Sequence, residues 1–527
     1  MGSLGRSGLL ALVLGALGCG EDEVRLAPKG DAGPIGPDAF DFAGSFDQPA
    51  DFDRVGCVQG SLAGLAPAGV WHLDVSIDNF GSYPLPLRID AADSGLLALI
   101  NGREAADVRL TANDLFIRAV WSGWRGEQSA ALDACALAMD GSLSGKVAGC
   151  FAGEGCYEGT FRAVKVVRRA GEEESDGLVK VGEWAGDPTA PWEEAITVNV
   201  RVKDGIAYLA RYEDGLRIVD VTNPEKIRDL GWSPIVQPER GEIYNDVKIV
   251  DDPAARRHVL MASDVRGVVA IDVSNPSTPV EVATFPSSPE AESRVNVHTL
   301  FTETIDGKTL AYLANVNTSG LDVFEVTDPA APVALGSYVH PEAASNYNAY
   351  LHDLYVENGR VYLDYWDLGL VVVDTLADPA NPTLVGQYRD YERRTNHSSW
   401  VTTTSSGRKV AVSGDEDFTA HVHIVDVDKS SPMFMQRIGE FQLRPEVSVH
   451  NIMAFGDRAY IAYYQDGVRI LGLHDPTAPA QVAYFNTWNA EPGTSFYEGA
   501  IGLDVDLDAG LLFVADTKRG LIILREE

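Results

Sequence analysis

GLRIVDV, residues 215–221, is the stretch on which the fold turns, because the chain repeats it. It returns as GVVAIDV from Gly267, GLDVFEV from Gly320, GLVVVDT from Gly369, HVHIVDV from His421 and GVRILGL from Gly467, with a terminal GLIIL from Gly520. Successive starts lie 52, 53, 49, 52, 46 and 53 residues apart. A period of this size marks a repeat architecture. One such unit is too short to bury its own apolar surface and must stack on its neighbours.

The flanks identify the unit. Before each phrase runs an apolar segment such as IAYLA (206–210), TLAYLA (309–314) or RVYLDY (360–365). After it comes a proline-marked turn, DVSNPSTP (272–279), EVTDPAAP (325–332) or LHDPTAP (473–479). Another short segment then ends in an aromatic, as in VEVATF (280–285), VALGSY (333–338) and TLVGQY (383–388). Runs this short, rich in Val, Ile, Tyr and Phe, read as strands. Proline cannot donate to a β ladder, so the Asn-Pro and Asp-Pro pairs end strands. Three to four strands per repeat describe a propeller blade.

These residues resemble the LVIVD repeat, a family of surface-associated bacterial and archaeal β-propellers, from roughly Leu178 to the C-terminus. The resemblance implies a fold and lends no general activity. The chain departs from the pattern in the fifth copy, where His421 replaces the glycine and Ser431-Pro432 replaces the double-proline turn. The sixth copy has Gly472 where others carry Asp or Glu. The seventh copy stops at Glu527, before an outer strand, and GLVKVGEW (177–184) has the form of the missing one. Donated from the N-terminal side, it would join both ends of a seven-bladed ring and leave no open blade edge.

Net charge is −35 and no basic patch stands out. A phosphate backbone would be repelled, which excludes nucleic acid as a partner, and an anionic membrane surface is disfavoured for the same reason. No DxDxDG-type calcium loop is present. Arg6 precedes the apolar run GLLALVLGALG (8–18), and Cys19 follows. That run is too short to span a bilayer but suits a signal-peptide core. Ala16-Leu17-Gly18-Cys19 resembles a bacterial lipobox. The resemblance implies a leader over 1–18, lipidation of Cys19, and, with Gly20 next, an outer-membrane or surface location. Residues 19–55, rich in Asp, Gly and Pro, read as a flexible tether.

Residues 56–170 form a different domain. Eight strand-like segments, from VWHLDVSI (70–77) to YEGTFRAVKVV (157–167), alternate with turns. Their layout resembles the small lipocalin-like meander barrels of exported proteins, which implies a place for a small apolar ligand or a core filled by side chains. If Cys19 takes a lipid, four cysteines remain, Cys57, Cys135, Cys150 and Cys156, all in this domain. An even set in one exported domain predicts two disulfides. Three connectivities are open. CFAGEGC turns tightly enough to join Cys150 to Cys156, leaving Cys57 with Cys135. Zinc is the poorer reading, since there is no CxxC and His72 is the only local histidine.

The expected fold is therefore all-β, a seven-bladed β-propeller over 176–527 preceded by a small disulfide-bonded antiparallel β-barrel. Nucleophile elbow, Walker loop, HExxH and dinucleotide fingerprint are all missing from the sequence. One constellation stands out. His298 (NVHTLF), His352 (YLHDLY) and His450 (SVHNIM) open the first strand of their blades, with Asn245 equivalent in blade two. In blade five the aligned residue is Ser398, with His397 beside it; Val198 and Ile501 complete the ring. Neutral imidazoles around one mouth suit a transition metal. The competing reading is structural: such histidines bond to a neighbouring blade, with Asp246, Thr299, Asp353, Ser399 and Asn451 as partners. The resulting expectation is a monomeric, lipid-anchored surface protein that is not an enzyme, whose propeller binds a protein or glycan. The alternatives are a metal-dependent enzyme at the channel mouth and a carrier of small apolar ligands.

Overall fold

The computed structural model describes residues 45–527 except 78–80, 94, 124–125, 152–154, 187–195, 287–293, 344, 347, 392, 394 and 490–494. The leader, Cys19 and the tether up to residue 44 lie outside the described residues. Two compact units are present, one built on residues up to Ala170 together with Arg444–Val447 and Asn489–Tyr497, the other on the rest.

The first unit contains a closed barrel of eight antiparallel strands in sequence order, running from Gly69–Ile77 to Gly155–Val166, which pair with each other to close the sheet. Strand alternation sends Trp71, Leu73, Val75 and Ile77 into the core, with Leu85, Leu87, Leu132 and Phe161 arriving from other strands. Among the described residues, side chains from all around the barrel pack on one another in its interior. The cavity among Tyr83, Trp121 and Tyr157 measures about 10 Å³, space for one water and not for an apolar ligand. Residues near the end of the expected tether are ordered on the barrel. Phe46 and Phe52 are buried against Phe116, Ala131 and Ala148.

Two disulfides join Cys57 to Cys135 and Cys150 to Cys156, closing loops of 78 and 6 residues. Loop closure in the unfolded chain makes the long bridge worth more. Replacing Cys57 and Cys135 with alanine should cost about 4–5 kcal/mol in urea denaturation, against about 2 kcal/mol for the Cys150–Cys156 pair. Equal losses for the two pairs would contradict the prediction.

The second unit is a seven-bladed β-propeller. Each repeated phrase forms the third strand of a blade, as in Gly215–Asp220 and Gly369–Asp374. Its glycine is dictated by close approach. A Cβ on Gly215, Gly369 or Gly467 would lie 2.1–2.2 Å from the carbonyl oxygen that ends the fourth strand, and all three have positive φ. A second glycine, at a bulge in the fourth strand, receives the proline turn of the next blade. Gly231 faces the carbonyl of Pro276, Gly336 that of Pro379 and Gly439 that of Pro476. The recurrent Gly-aromatic ending and the Asn/Asp-Pro turn are thus two halves of one inter-blade latch.

The ring closes as the sequence predicts. Leu178–Trp184 is the outer strand of blade seven, paired antiparallel with Gly520–Glu526. The latch is kept there as well, since Gly182 faces the carbonyl of Pro224 in blade one. Arg519 grips Glu183 through two hydrogen bonds of 2.9 and 2.7 Å. The sequence reading misses one piece. Ser175–Asp176 adds a fifth strand to blade six, two residues too short to carry a pattern.

Candidate axial site

The first strand of each blade is its innermost, and successive first strands pack around the ring, the seventh on the first. Nearly all carry a bulge near their start. Pairing with the second strand slips between Tyr244 and Asp246, Leu351 and Asp353, Asn396 and Ser398, and Ala500 and Gly502. A bulged residue is unpaired, and its side chain is re-aimed. The skipped residues are Asn245, His352, His397 and Ile501. This corrects the alignment in blade five, where the ring position is His397 and Ser398 is its neighbour. Counting along a strand cannot locate a bulge, so the sequence alone places this position one residue too late.

With that correction, four imidazoles from four consecutive blades form a continuous row. Ring centroids are 4.3 Å apart for His298 and His352, 4.3 Å for His352 and His397, and 4.2 Å for His397 and His450. All four are buried, as is Asn245. Trp366 lies over His352 at 5.2 Å, and Tyr350 stacks on Trp366. The sequence-predicted His298, His352 and His450 do belong to one cluster, with His397 filling the gap.

A fifth member was not legible in advance. Glu416 sits in the loop between the second and third strands of blade five, Lys409–Asp415 and Val422–Asp426. This is the copy in which His421 replaces the usual glycine. The side chain of Asp415 accepts the His421 backbone N–H at 2.6 Å, which closes a longer turn than other copies have. Glu416 is thereby brought to the axis. Its Oε2 is 3.6 Å from His397 Nε2 and its Oε1 is 3.8 Å from His450 Nε2. The Tyr464 hydroxyl donates a short hydrogen bond to Oε1.

Part of the cluster is plainly structural. His450 Nδ1 lies 2.5 Å from the carbonyl oxygen of Ile501 in blade seven. Thr299 donates to the His352 carbonyl at 3.0 Å, and Ser398 to that of His450 at 2.8 Å. In blade two, Asp246 accepts from Asn199 of blade one and from the backbone of Leu300 in blade three, and pairs with Lys248. These bonds tie each inner strand to the next.

Other polar atoms are left over. Neither nitrogen of His397, nor Nδ1 of His352, nor either amide atom of Asn245 has a hydrogen-bond partner among the described residues. Burial strongly disfavours the imidazolium form. It holds His352 and His397 well below the ordinary histidine range, helped by the neighbouring imidazoles, and lowers His450 to about 3 against the opposing Ile501 carbonyl. His352, His397 and His450 are therefore neutral rings that present lone pairs and act poorly as proton carriers near neutrality.

Two groups of donor atoms lie within 4.8 Å of one another, His352 with His397 and Glu416, and Asp415 with His421 and His423. In the second, His423 Nδ1 is 2.9 Å from the Tyr388 hydroxyl and Asp415 is occupied by its own turn. That group is partly engaged by blade-four and blade-five packing, while His421 Nδ1 and His423 Nε2 have no hydrogen-bond partner among the described residues.

The LVIVD repeat model matches residues 196–227, 262–287 and 351–390, in blades one, two and four, so the chain carries LVIVD repeats. No curated protein matches it. Among solved structures, the chain is similar to the WD40 β-propeller domain of Doa1, with TM-score 0.46 and 12% identity over 67% of this chain and 98% of that one. BamB from Moraxella catarrhalis gives 0.39 and 10% over 66% and 97%. The computationally designed Ika8 protein gives 0.42 and 10% over 66% and 99%. At these values they lend this chain no activity or partner.

Proposed function

We propose that the chain is a lipid-anchored cell-envelope protein whose propeller is a non-enzymatic binding module for a protein or glycan. One observation carries this. The residues repeated from blade to blade, the two glycines and the proline turn, are all used in building the blades and joining each to the next. What varies most is the set of connections between blades, from 389–395 after blade four to 486–499 after blade six. A fixed scaffold with variable loops is the arrangement that recognition uses. The lipobox-like segment before Cys19 supports an envelope address.

The test has two arms. Mass spectrometry of the native protein should find Cys19 as an acylated N-terminal residue, and Cys19→Ser should release the chain from membranes. A mature N-terminus elsewhere sinks the anchor. Labelled protein should bind isolated envelopes saturably, in competition with unlabelled protein. Purely non-saturable uptake would sink the module.

A second reading, a metal-dependent enzyme at the channel mouth, is favoured by the meeting of four imidazoles and a carboxylate at the axis. The carrier reading is less favoured, because the described side chains of the barrel interior pack on one another.

A further inference from the structure

From the axial geometry we infer that the propeller holds one divalent first-row transition-metal ion, bound by His352, His397 and Glu416, with His450 completing the set. The inference supplies the second reading with its cofactor. It also stands if the chain is only a binding module, since a metal can be structural. The ligand set differs from the one the sequence suggested. His397 and Glu416 enter, while His298 and Asn245 stand outside the coordinating group.

Three features of the geometry converge. The first is distance. Two donors bound tetrahedrally at about 2.1 Å from one ion lie about 3.4 Å apart. His397 Nε2 and Glu416 Oε2 are 3.6 Å apart, and His450 Nε2 and Glu416 Oε1 are 3.8 Å apart. Both gaps are too long for a hydrogen bond and close to what a shared ion would set.

The second is the direction of the lone pairs. His450 Nδ1 faces the Ile501 carbonyl, so that nitrogen carries the proton and Nε2 presents a lone pair toward the carboxylate. Two lone-pair donors facing each other repel unless a cation lies between them. His397 reinforces this, for neither of its nitrogens has a hydrogen-bond partner among the described residues. Leaving such a ring unpaired in a buried site is costly, and coordination through Nε2 satisfies one of its two nitrogens.

The third is the supporting shell. Ligating imidazoles and carboxylates are oriented by second hydrogen bonds. The Ile501 carbonyl serves His450, and the Tyr464 hydroxyl serves Glu416. Imidazole nitrogen with a single carboxylate selects a transition ion over calcium or magnesium, which prefer oxygen-only shells.

The experiment uses the full chain with its disulfides formed, stripped by chelator and titrated with Co(II) as a spectroscopic probe. Native protein should carry about one transition metal per chain, and Co(II) should bind near that stoichiometry with d–d absorption bands. Glu416→Gln keeps the size of the side chain and an acceptor for Tyr464. That variant and His397→Gln should each weaken Co(II) binding by roughly 100-fold or more, and Tyr464→Phe by about 10-fold. His298→Gln and the exposed His474→Ala should bind as the parent does. The absence of bands in folded parent protein overturns the inference, as does unchanged affinity in Glu416→Gln and His397→Gln. Should a variant fail to fold, X-ray absorption of the Co(II)-bound parent decides. Two or more imidazoles support the site, and an all-oxygen shell overturns it.

Discussion

A propeller beginning at residue 190 should be less stable than one beginning at residue 172 by at least about 3–5 kcal/mol, and it should self-associate. The shorter chain loses Leu178, only 2% exposed and packed with Tyr460, Leu512 and Leu524. It also loses the Glu183–Arg519 pair, in which Arg519 holds the carboxyl at about 2, well below the usual range. The clasp on blade six goes too, where Glu172 forms two 3.0 Å bonds to the buried Arg469. Removing one partner of a buried ion pair leaves the other charge uncompensated, which costs more than the pair itself contributes. The strand Gly520–Glu526 would then present an open edge, free to pair with another chain. Urea denaturation and light scattering measure both effects. Equal stability and a monomeric short chain would show that the ring closes without this strand.

The second large effect is acid lability. His72 in the first unit and His423 in blade five are fully buried, and burial lowers both to about 3. For a base with a depressed folded value, the native state binds fewer protons than the unfolded chain below the unfolded value near 6.5. The stabilisation is therefore complete above pH 6.5 and is lost as the pH falls toward 3. At pH 4.5 each histidine should have cost about 2–3 kcal/mol relative to pH 7. His72→Phe and His423→Phe should each flatten the pH dependence of the denaturation midpoint between 6.5 and 4. A slope unchanged by both would show that these rings are reachable by water and protonate freely.

The propeller was legible because its constraints repeat. The phrase glycine, the bulge glycine and the proline turn recur since each solves the same contact in every blade, and their spacing counts the blades. Even the shared seventh blade could be read, because GLVKVGEW carries the bulge glycine of an outer strand away from its repeat. The axial site was legible only in part. Three histidines stood at matching positions, but the bulge that selects His397 leaves no mark in composition. Glu416 was hidden for another reason. It comes from a loop, and the only signal was negative, the failure of copy five to show its glycine. The two-residue strand Ser175–Asp176 was too short to have any period at all.

The strap across blade seven also fixes the order in which the molecule can be finished. Leu178 pairs with Glu526, at the far end of the propeller sequence. During synthesis the N-terminal strand emerges early and its partner emerges last. Until then Leu178–Trp184 waits without its ladder, and the first six blades form an open arc. No vectorial route, one blade locking before the next is made, can complete this ring. Its final joining is a single late event between the oldest and the newest parts of the propeller, and such long-range pairing is slow. A chain released a few residues early would hold nearly all its blades and still lack the one contact that makes them a circle.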